Sequence, residues 1–325
     1  MQKLILAYYH LVHLTDPEEE VRLHKEFLSR CDAKARIYIS KQGINGQMSI
    51  AAGDGKAYME WLASRSPFQG VTFKIQEHPE HVFPRLTIKC KKELVALGKE
   101  VSIDDRGTYL TAHEWAQTLA DDSEKIVLDT RNDYEWKLGR FVGAELFPCT
   151  TFKEFTHSVA ALKSRVQGKD TKVLMYCTGG IRCELFSALL KQEGINNVFQ
   201  LEGGIIRYGQ LEKTKHWQGK LFVFDDRLAC SLTPNTEAEV IGTCHHCNKS
   251  IEAYYNCANM DCNELFLCCP ECLDRFKGCC QESCMHKERV RPYKYVGKPF
   301  RRWHHYAKTK EQLKSLHEEK ATNNC

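Results

Sequence analysis

The spacing of apolar residues changes several times along the chain, and each change marks an element. Near the N-terminus, Leu4-Ile5-Leu6-Ala7-Tyr8-Tyr9 reads as a strand. Asp16 then precedes Pro17-Glu18-Glu19, an N-cap acceptor followed by a first-turn proline and acids, which opens a helix running through Phe27-Leu28. Residues 35–39 and 47–51 alternate as strands around a glycine-containing turn, Gly43-Ile44-Asn45-Gly46. A helix over 56–62 and a strand over 71–75 complete the order β-α-β-β-α-β, the ferredoxin-like arrangement. A short strand over 85–89 follows, and then a helix around Thr111 to Leu119. Strands Ile126-Val127-Leu128-Asp129, Lys172-Val173-Leu174-Met175-Tyr176 and Val198-Phe199-Gln200-Leu201 alternate with helical patterns, so a parallel sheet is expected.

These changes divide the chain into a ferredoxin-like α+β unit (1–92), a connector with a helix (93–122), an α/β unit (123–218) and a second connector (219–243). A cysteine-rich module (244–284) and a basic tail (285–325) complete it. A chain of 325 residues is expected to hold two or three domains. Its 42% apolar residues suffice for real cores. The net charge of +4 is too small to name a partner. There is no run of about 18 apolar residues, which argues against a membrane helix. The N-terminus has no small-residue cleavage site and reads as a first strand, so a cytoplasmic protein is expected. Seventeen cysteines in a reducing compartment point to metal ligation or thiol chemistry rather than a disulfide framework.

The chemistry concentrates at Cys177-Thr178-Gly179-Gly180-Ile181-Arg182, between an apolar strand and a helical segment starting near Cys183. A cysteine there meets unpaired backbone N–H groups and the positive end of a helix dipole, and both favour the thiolate. The two glycines let the loop curl around the sulfur, and Arg182 adds a cation. A nucleophilic or sulfur-carrying cysteine is expected, the alternative being a buried inert thiol. Cys183 is either a resolving thiol or a packed first-turn residue.

Asp129-Thr130-Arg131, Asp133-Tyr134-Glu135-Trp136 and Gly139-Arg140-Phe141-Val142-Gly143-Ala144 precede this loop, and Leu201-Glu202-Gly203-Gly204-Ile205 follows it. The series resembles the rhodanese domain, departing at Arg140, where that family usually has histidine, and at Val142, where it usually has proline. The resemblance implies a doubly wound parallel sheet and a Cys177 persulfide held by the loop amides from Thr178 to Arg182. It leaves Asp129 and Arg131 as an ion pair supporting the strand end. The nine residues from Tyr176 to Glu184, with Lys41-Gln42-Gly43-Ile44-Asn45-Gly46 upstream and Phe222-Val223-Phe224-Asp225-Asp226-Arg227 downstream, are similar to the bacterial tRNA uridine hydroxylases. That resemblance spans nearly the whole chain. It implies an oxidoreductase that uses molecular oxygen to form 5-hydroxyuridine at tRNA position 34. The sequence carries no haem motif, no flavin or NAD glycine fingerprint and no facial-triad iron motif. The oxygen chemistry therefore falls on Cys177, with attack of its thiolate or persulfide on uracil C6 as the working expectation. A plain sulfurtransferase or a non-catalytic RNA-binding scaffold remain alternatives.

Ten cysteines lie within residues 244–284. Cys244/Cys247, Cys257/Cys262, Cys269/Cys272 and Cys280/Cys284 form four knuckle-like pairs, which suit two four-thiolate zinc sites. Cys268 and Cys279 are adjacent alternatives, and His245 or His246 can replace a thiol. Disulfides, free thiols or an iron–sulfur cluster stay open. The stretch from Lys287 to Lys310 has nine Lys/Arg and one acid, Glu288, interleaved with Tyr293, Tyr295, Phe300, Trp303 and Tyr306. Cations with interleaved rings suit single-stranded RNA such as an anticodon loop, with Arg291, Arg301, Arg302 and Trp303 as candidate contacts. The alternative is that the rings pack onto the protein and the charges are merely solvated.

Overall fold

The computed structural model describes residues 2–95, 97, 101–146, 158–234, 236–291 and 293. Its first sheet contains β1 (Lys3–Leu11), β2 (Ala33–Ser40), β3 (Gly43–Ala51), β4 (Thr72–His78) and β5 (Leu86–Cys90), in the order β4-β1-β3-β2-β5. The first four pair antiparallel, and β5 extends the edge parallel to β2. Helices α1 (Pro17–Leu28) and α2 (Ala52–Ser64) supply the other side of its core. Asp16 caps α1 by accepting from the Glu19 N–H, and Pro17 occupies the first turn. Strand alternation sends Leu6, Tyr8, Ile37, Ile39 and Met48 into the core, leaving Ala7, Tyr9, Arg36, Tyr38, Asn45 and Gln47 on the opposite face.

The glycines at 43 and 46 differ from their expected role as a turn, because both lie within β3. Chain reversal falls instead on Lys41-Gln42. A Cβ on Gly46 would sit 2.2 Å from the Tyr8 ring, and one on Gly43 would sit 2.0 Å from the His10 carbonyl oxygen. Here glycine serves close packing between strands.

The second sheet is wholly parallel: β6 (Thr108–Leu110), β7 (Lys125–Asp129), β9 (Glu145–Leu146), β10 (Lys172–Tyr176) and β11 (Val198–Leu201), in the order β6-β11-β10-β7-β9. Between β7 and β9 lie α4 (Asp133–Leu138) and β8 (Gly139–Phe141). Helices cover both faces. Val173 and Met175 of β10 pack toward α5 (Val159–Val166) and α6 (Ile181–Gln192), whereas Leu174 and Tyr176 pack toward α3 (Ala112–Ala120) and α7 (Gly204–Leu211). The segment expected as a connector therefore supplies an edge strand, β6, and a core helix, α3. Three-residue and two-residue edge strands are too short to carry a readable alternation, so β6 and β9 escape a sequence reading.

Downstream, β12 (Trp217–Gly219) returns to pair with β8, and β13 (Leu221–Phe222) pairs with β14 (Ala229–Cys230). The cysteine-rich module contains β15 (Tyr254–Asn256), β16 (Leu265–Leu267), α8 (Pro270–Arg275) and α9 (Glu282–Met285). Cysteine side chains make up most of its buried cluster. Among the described residues, no helix is long and apolar enough to cross a membrane.

Trp115 of α3 is fully buried against Phe141 and Tyr176. Trp115→Ala is expected to cost about 3–5 kcal/mol, read from the urea midpoint of the central domain. A loss below about 1 kcal/mol would show that α3 stands outside that core.

A buried thiolate in a cleft between two domains

Cys177 lies one residue beyond the C-terminal end of β10, a central strand, at the position where open α/β sheets place their chemistry. Its side chain is buried, and the backbone N–H of Gly180 donates to Sγ at 3.0 Å. Gly180 adopts φ +106°, which turns the chain into α6. The Gly203-Gly204 turn closes the loop from the other side. Ile205 and Ile206 N–H groups, at the start of α7, donate to the carbonyls of Cys177 and Thr178 at 3.0 and 3.2 Å. A Cβ on Gly204 would come within 2.6 Å of the Cys177 carbonyl oxygen, so only glycine permits this approach.

Burial alone pushes the Cys177 thiol up. The hydrogen bond with the Cys183 side chain, the charge of Arg182 and the N–H groups of Cys183 and Gly180 outweigh it and bring it down to about 5. Cys183 moves the other way, well above the ordinary thiol value, through its own burial and the negative sulfur beside it. The pair thus consists of an anionic Cys177 and a neutral Cys183, whose Sγ also lies 3.5 Å from Thr130 Oγ1.

Glu135, fully buried in the first turn of α4, holds this arrangement. It accepts from both terminal nitrogens of Arg182, at 2.5 and 2.8 Å, and from Thr178 Oγ1 at 3.0 Å. The fork fixes the guanidinium plane beside the sulfur. Asp129 and Arg131 form a second buried pair, bonded at 2.6 Å. Asp129 also accepts from the Tyr176 hydroxyl at 2.7 Å, and Arg131 donates to the Gly139 carbonyl at 2.6 Å. These bonds tie the ends of β7 and β10 to β8. At the two positions where the rhodanese pattern is broken, Arg140 lies 3.9 Å over the Trp136 ring and Val142 is exposed.

The sequence pattern did not single out what the N-terminal sheet brings to the loop. Lys74 of β4 donates to the Gly179 carbonyl at 2.9 Å and lies 5.2 Å from the centre of the Tyr9 ring. Burial pulls the Lys74 ammonium down to about 8, the anionic Cys177 opposing that fall. Tyr9 donates to Glu184 of α6 at 2.7 Å, and Tyr109 binds the same carboxylate at 2.7 and 2.8 Å. Between sheet and loop lies a cleft of about 520 Å³, lined by Tyr9, Arg36, Tyr38, Asn45, Gln47 and Lys74 on one side and by Cys177 to Gly179, Ile181 and Arg182 on the other. That volume falls within the usual range for small-molecule sites. An isolated lysine or tyrosine in an alternating strand gives no signal of such a role.

Three family models match in series: the UPF0176 acylphosphatase like domain over 3–94, the Rhodanese-like domain over 111–210 and the Rhodanase C-terminal model over 218–285. The chain is 52% identical to a tRNA uridine(34) hydroxylase of Protochlamydia amoebophila (strain UWE25), covering 94% of this chain and 95% of that protein. The chain belongs to the tRNA uridine(34) hydroxylase family. Further members include the proteins of that name from Chlamydia felis (strain Fe/C-56), 48% identical with 96% of each chain covered, and from Chlamydia trachomatis serovar D, 46% identical with 92% of each covered. Among solved structures, thiosulfate sulfurtransferase from Pseudomonas aeruginosa is similar over 33% of this chain and 19% of its own, with 23% identity and a TM-score of 0.29.

In this member of the hydroxylase family, the cysteine-rich module forms two tetrads. Cys244, Cys247, Cys269 and Cys272 make one, and Cys257, Cys262, Cys280 and Cys284 make the other, with all sulfurs of each within 4.8 Å of one another. First pair joins third and second joins fourth, so the two sites interlock. The Cys247–Cys269 and Cys262–Cys280 sulfurs are 3.7 and 3.6 Å apart. Disulfide sulfurs would lie about 2.05 Å apart, whereas thiolates around one tetrahedral ion with metal–sulfur bonds of about 2.3 Å stand about 3.8 Å apart. The sulfurs therefore fit a metal ion. Cys268 and Cys279 are buried outside both tetrads, and His246 stacks on Phe276 at 3.8 Å, away from any ligand role.

Of the candidate RNA contacts, Arg291 is buried in this module, its guanidinium donating to Asn263 Oδ1 at 2.5 Å and its N–H to the Ala258 carbonyl at 2.9 Å. Arg301, Arg302 and Trp303 lie outside the described residues.

Thiolate absorbance at 240 nm, taken as the difference from Cys177→Ser, is expected to rise with pH through a midpoint near 5, because the folded thiol ionises below the ordinary value. Cys183→Ala removes a donor to the anion and should raise that midpoint by about one unit or more. A midpoint near 9 in the parent protein would contradict the stabilised thiolate.

Proposed function

We propose that the protein hydroxylates uridine 34 of tRNA to 5-hydroxyuridine in the cytoplasm, with the anticodon loop entering the cleft and Cys177 as the catalytic residue. The observation that carries this reading is a stabilised thiolate lining a cleft of about 520 Å³, roomy enough for a nucleotide, in a chain matched over 94% of its length by a tRNA uridine(34) hydroxylase. The loop residues Thr178, Gly179, Gly180, Ile181 and Arg182 hold the sulfur's charge. Asp129 and Arg131 brace the strand ends, and Cys183 tunes the thiolate.

The Cys177 thiolate adds to C6 of the uracil ring, forming a C–S bond and placing the electron pair at C5 as an enolate. The loop amides and Arg182 favour the thiolate before addition, and Lys74, which lines the same cleft, is positioned to offer an N–H to the developing enolate. C5 takes up molecular oxygen as a hydroperoxide, and a dithiol reduces it to the C5 alcohol, releasing water and becoming a disulfide. Loss of the C5 proton then expels the Cys177 thiolate and restores the ring double bond. One oxygen atom enters the base, and the two electrons and two protons come from the dithiol.

Zinc is the metal that suits the eight thiolates, held as two structural four-cysteine sites. Its binding would supply folding free energy to a module whose core is largely cysteine. Purified protein is then expected to hold two zinc ions per chain. Cys244→Ser should lower that content toward one and destabilise the module, by metal analysis and thermal unfolding. Purified protein with no zinc would overturn this assignment.

The test of the activity is nucleoside analysis of tRNA from bacteria lacking their own hydroxylase. The wild-type chain should restore 5-hydroxyuridine derivatives, whereas Cys177→Ala and Cys177→Ser should leave them at background. Hydroxylation retained by Cys177→Ser would remove the cysteine from the mechanism.

A further inference from the structure

The open face of the first sheet carries ordered rows of side chains. Strand register places Lys74, Ala7, Gln47, Arg36 and Thr87 in one row across β4-β1-β3-β2-β5. The next row holds Thr72, Tyr9, Asn45, Tyr38 and Lys89. Both begin at the Cys177 loop, where Lys74 and Tyr9 sit, and end at the distal edge. At one strand spacing per step, Lys74 and Arg36 are separated by about 14 Å. Arg36 and Tyr38 line the Cys177 cleft and also a second cavity of about 180 Å³, whose other residues include Arg85, Thr87 and Lys89.

The charge along this path has one sign. Arg36, Lys74 and Arg182 line the first cavity and Arg36, Arg85 and Lys89 the second, and neither is lined by any Asp or Glu. Among the described residues, Arg36, Arg85, Lys89 and Lys91 have no carboxylate partner, although most other arginines of the molecule are paired. Lys91 Nζ lies 5.1 Å from the centre of the Tyr38 ring. Cations without carboxylate partners, clustered at the β2-β5 edge beside an aromatic ring on the helix-free face of a five-stranded sheet, suit the binding of single-stranded RNA.

We infer that this face is the RNA platform of the enzyme: Arg36, Arg85 and Lys89 hold the phosphodiester backbone flanking the target nucleotide, and Tyr38 stacks on a neighbouring base. The inference rests on the tRNA reading above and assigns where the strand runs. It makes the N-terminal domain the element that both closes the active-site cleft and feeds it, independently of the C-terminal tail. Backbone contacts of this kind carry position rather than sequence, while Asn45 and Gln47, between Tyr9 and Arg36, offer the donors and acceptors that read a base edge.

The test uses the full-length protein and a synthetic anticodon stem-loop RNA with uridine at position 34, with affinity measured across a salt series. Arg36→Ala combined with Lys89→Ala is expected to weaken binding on the order of tenfold and to lower the salt slope by about 2. Tyr38→Ala should weaken it roughly tenfold, with Tyr38→Phe retaining wild-type affinity because the ring remains. The 240 nm titration of Cys177 serves as the folding control and should not move. Unchanged affinity and slope in the double variant would overturn the platform. If the variants lose binding yet the wild type forms no 5-hydroxyuridine in cells, the platform stands and the hydroxylase reading fails. Wild-type hydroxylation with undiminished binding in every variant sinks the platform alone.

Discussion

An anionic sulfur cannot be buried without compensation, and most of the central domain is arranged around meeting that requirement. Cys177 is buried, yet its charge is met by backbone N–H groups, by a neutral thiol and by a guanidinium. Each compensating group needs support of its own. Arg182 is oriented by a buried Glu135, Glu135 is set by the first turn of α4, and the loop carbonyls are bound by the start of α7. The Asp129–Arg131 pair and the Tyr176 hydroxyl fasten the strand ends beneath. Removing any one member of such a chain leaves a buried charge or dipole exposed to low dielectric, which explains why so many polar groups lie in one small region.

The compensated thiolate sits at a domain boundary. The N-terminal sheet places its helix-free face over the loop, so the cleft takes one wall from each domain. Lys74 reaching Gly179 and Tyr9 reaching Glu184 bind the walls together by polar contacts at their rim. The loop lies at the bottom of this cleft, with cations and amide side chains on the facing sheet.

The cysteine-rich module solves a different problem. Its few aliphatic residues cannot form a core of ordinary size, so sulfur tetrads occupy the interior. The interlocked pairing, first with third and second with fourth, ties the module into one body. It packs beside the central domain through Tyr254, whose hydroxyl donates to the Tyr134 carbonyl next to Glu135 at 2.5 Å. The cysteine-rich module is thus joined to the helix that orients Arg182.

Local chemistry was legible in the sequence by itself. The strand running into Cys177, the glycine loop and the start of α6 are consecutive, so the thiolate's nearest stabilisers follow from order alone. The β-α-β-β-α-β succession and the paired cysteine knuckles are likewise short-range patterns. Other features depended on residues distant in the chain. Two- and three-residue edge strands such as β9 and β6 gain their identity from a neighbour's hydrogen bonds. Glycines 43 and 46 looked like a turn because a sequence does not show the His10 carbonyl and the Tyr8 ring that press against them from β1. Arg291 looked like a solvent-facing cation until Asn263 was beside it. Choosing Cys269 over Cys268, and pairing the knuckles in an interlocked order, required the sulfurs' positions in space. The sequence by itself determined the cysteine loop and the class of fold, because both are written in contiguous residues. The tertiary structure decided what faces that loop, because Lys74, Tyr9 and Arg36 lie at least a hundred residues from Cys177 and meet it only when two sheets are packed together.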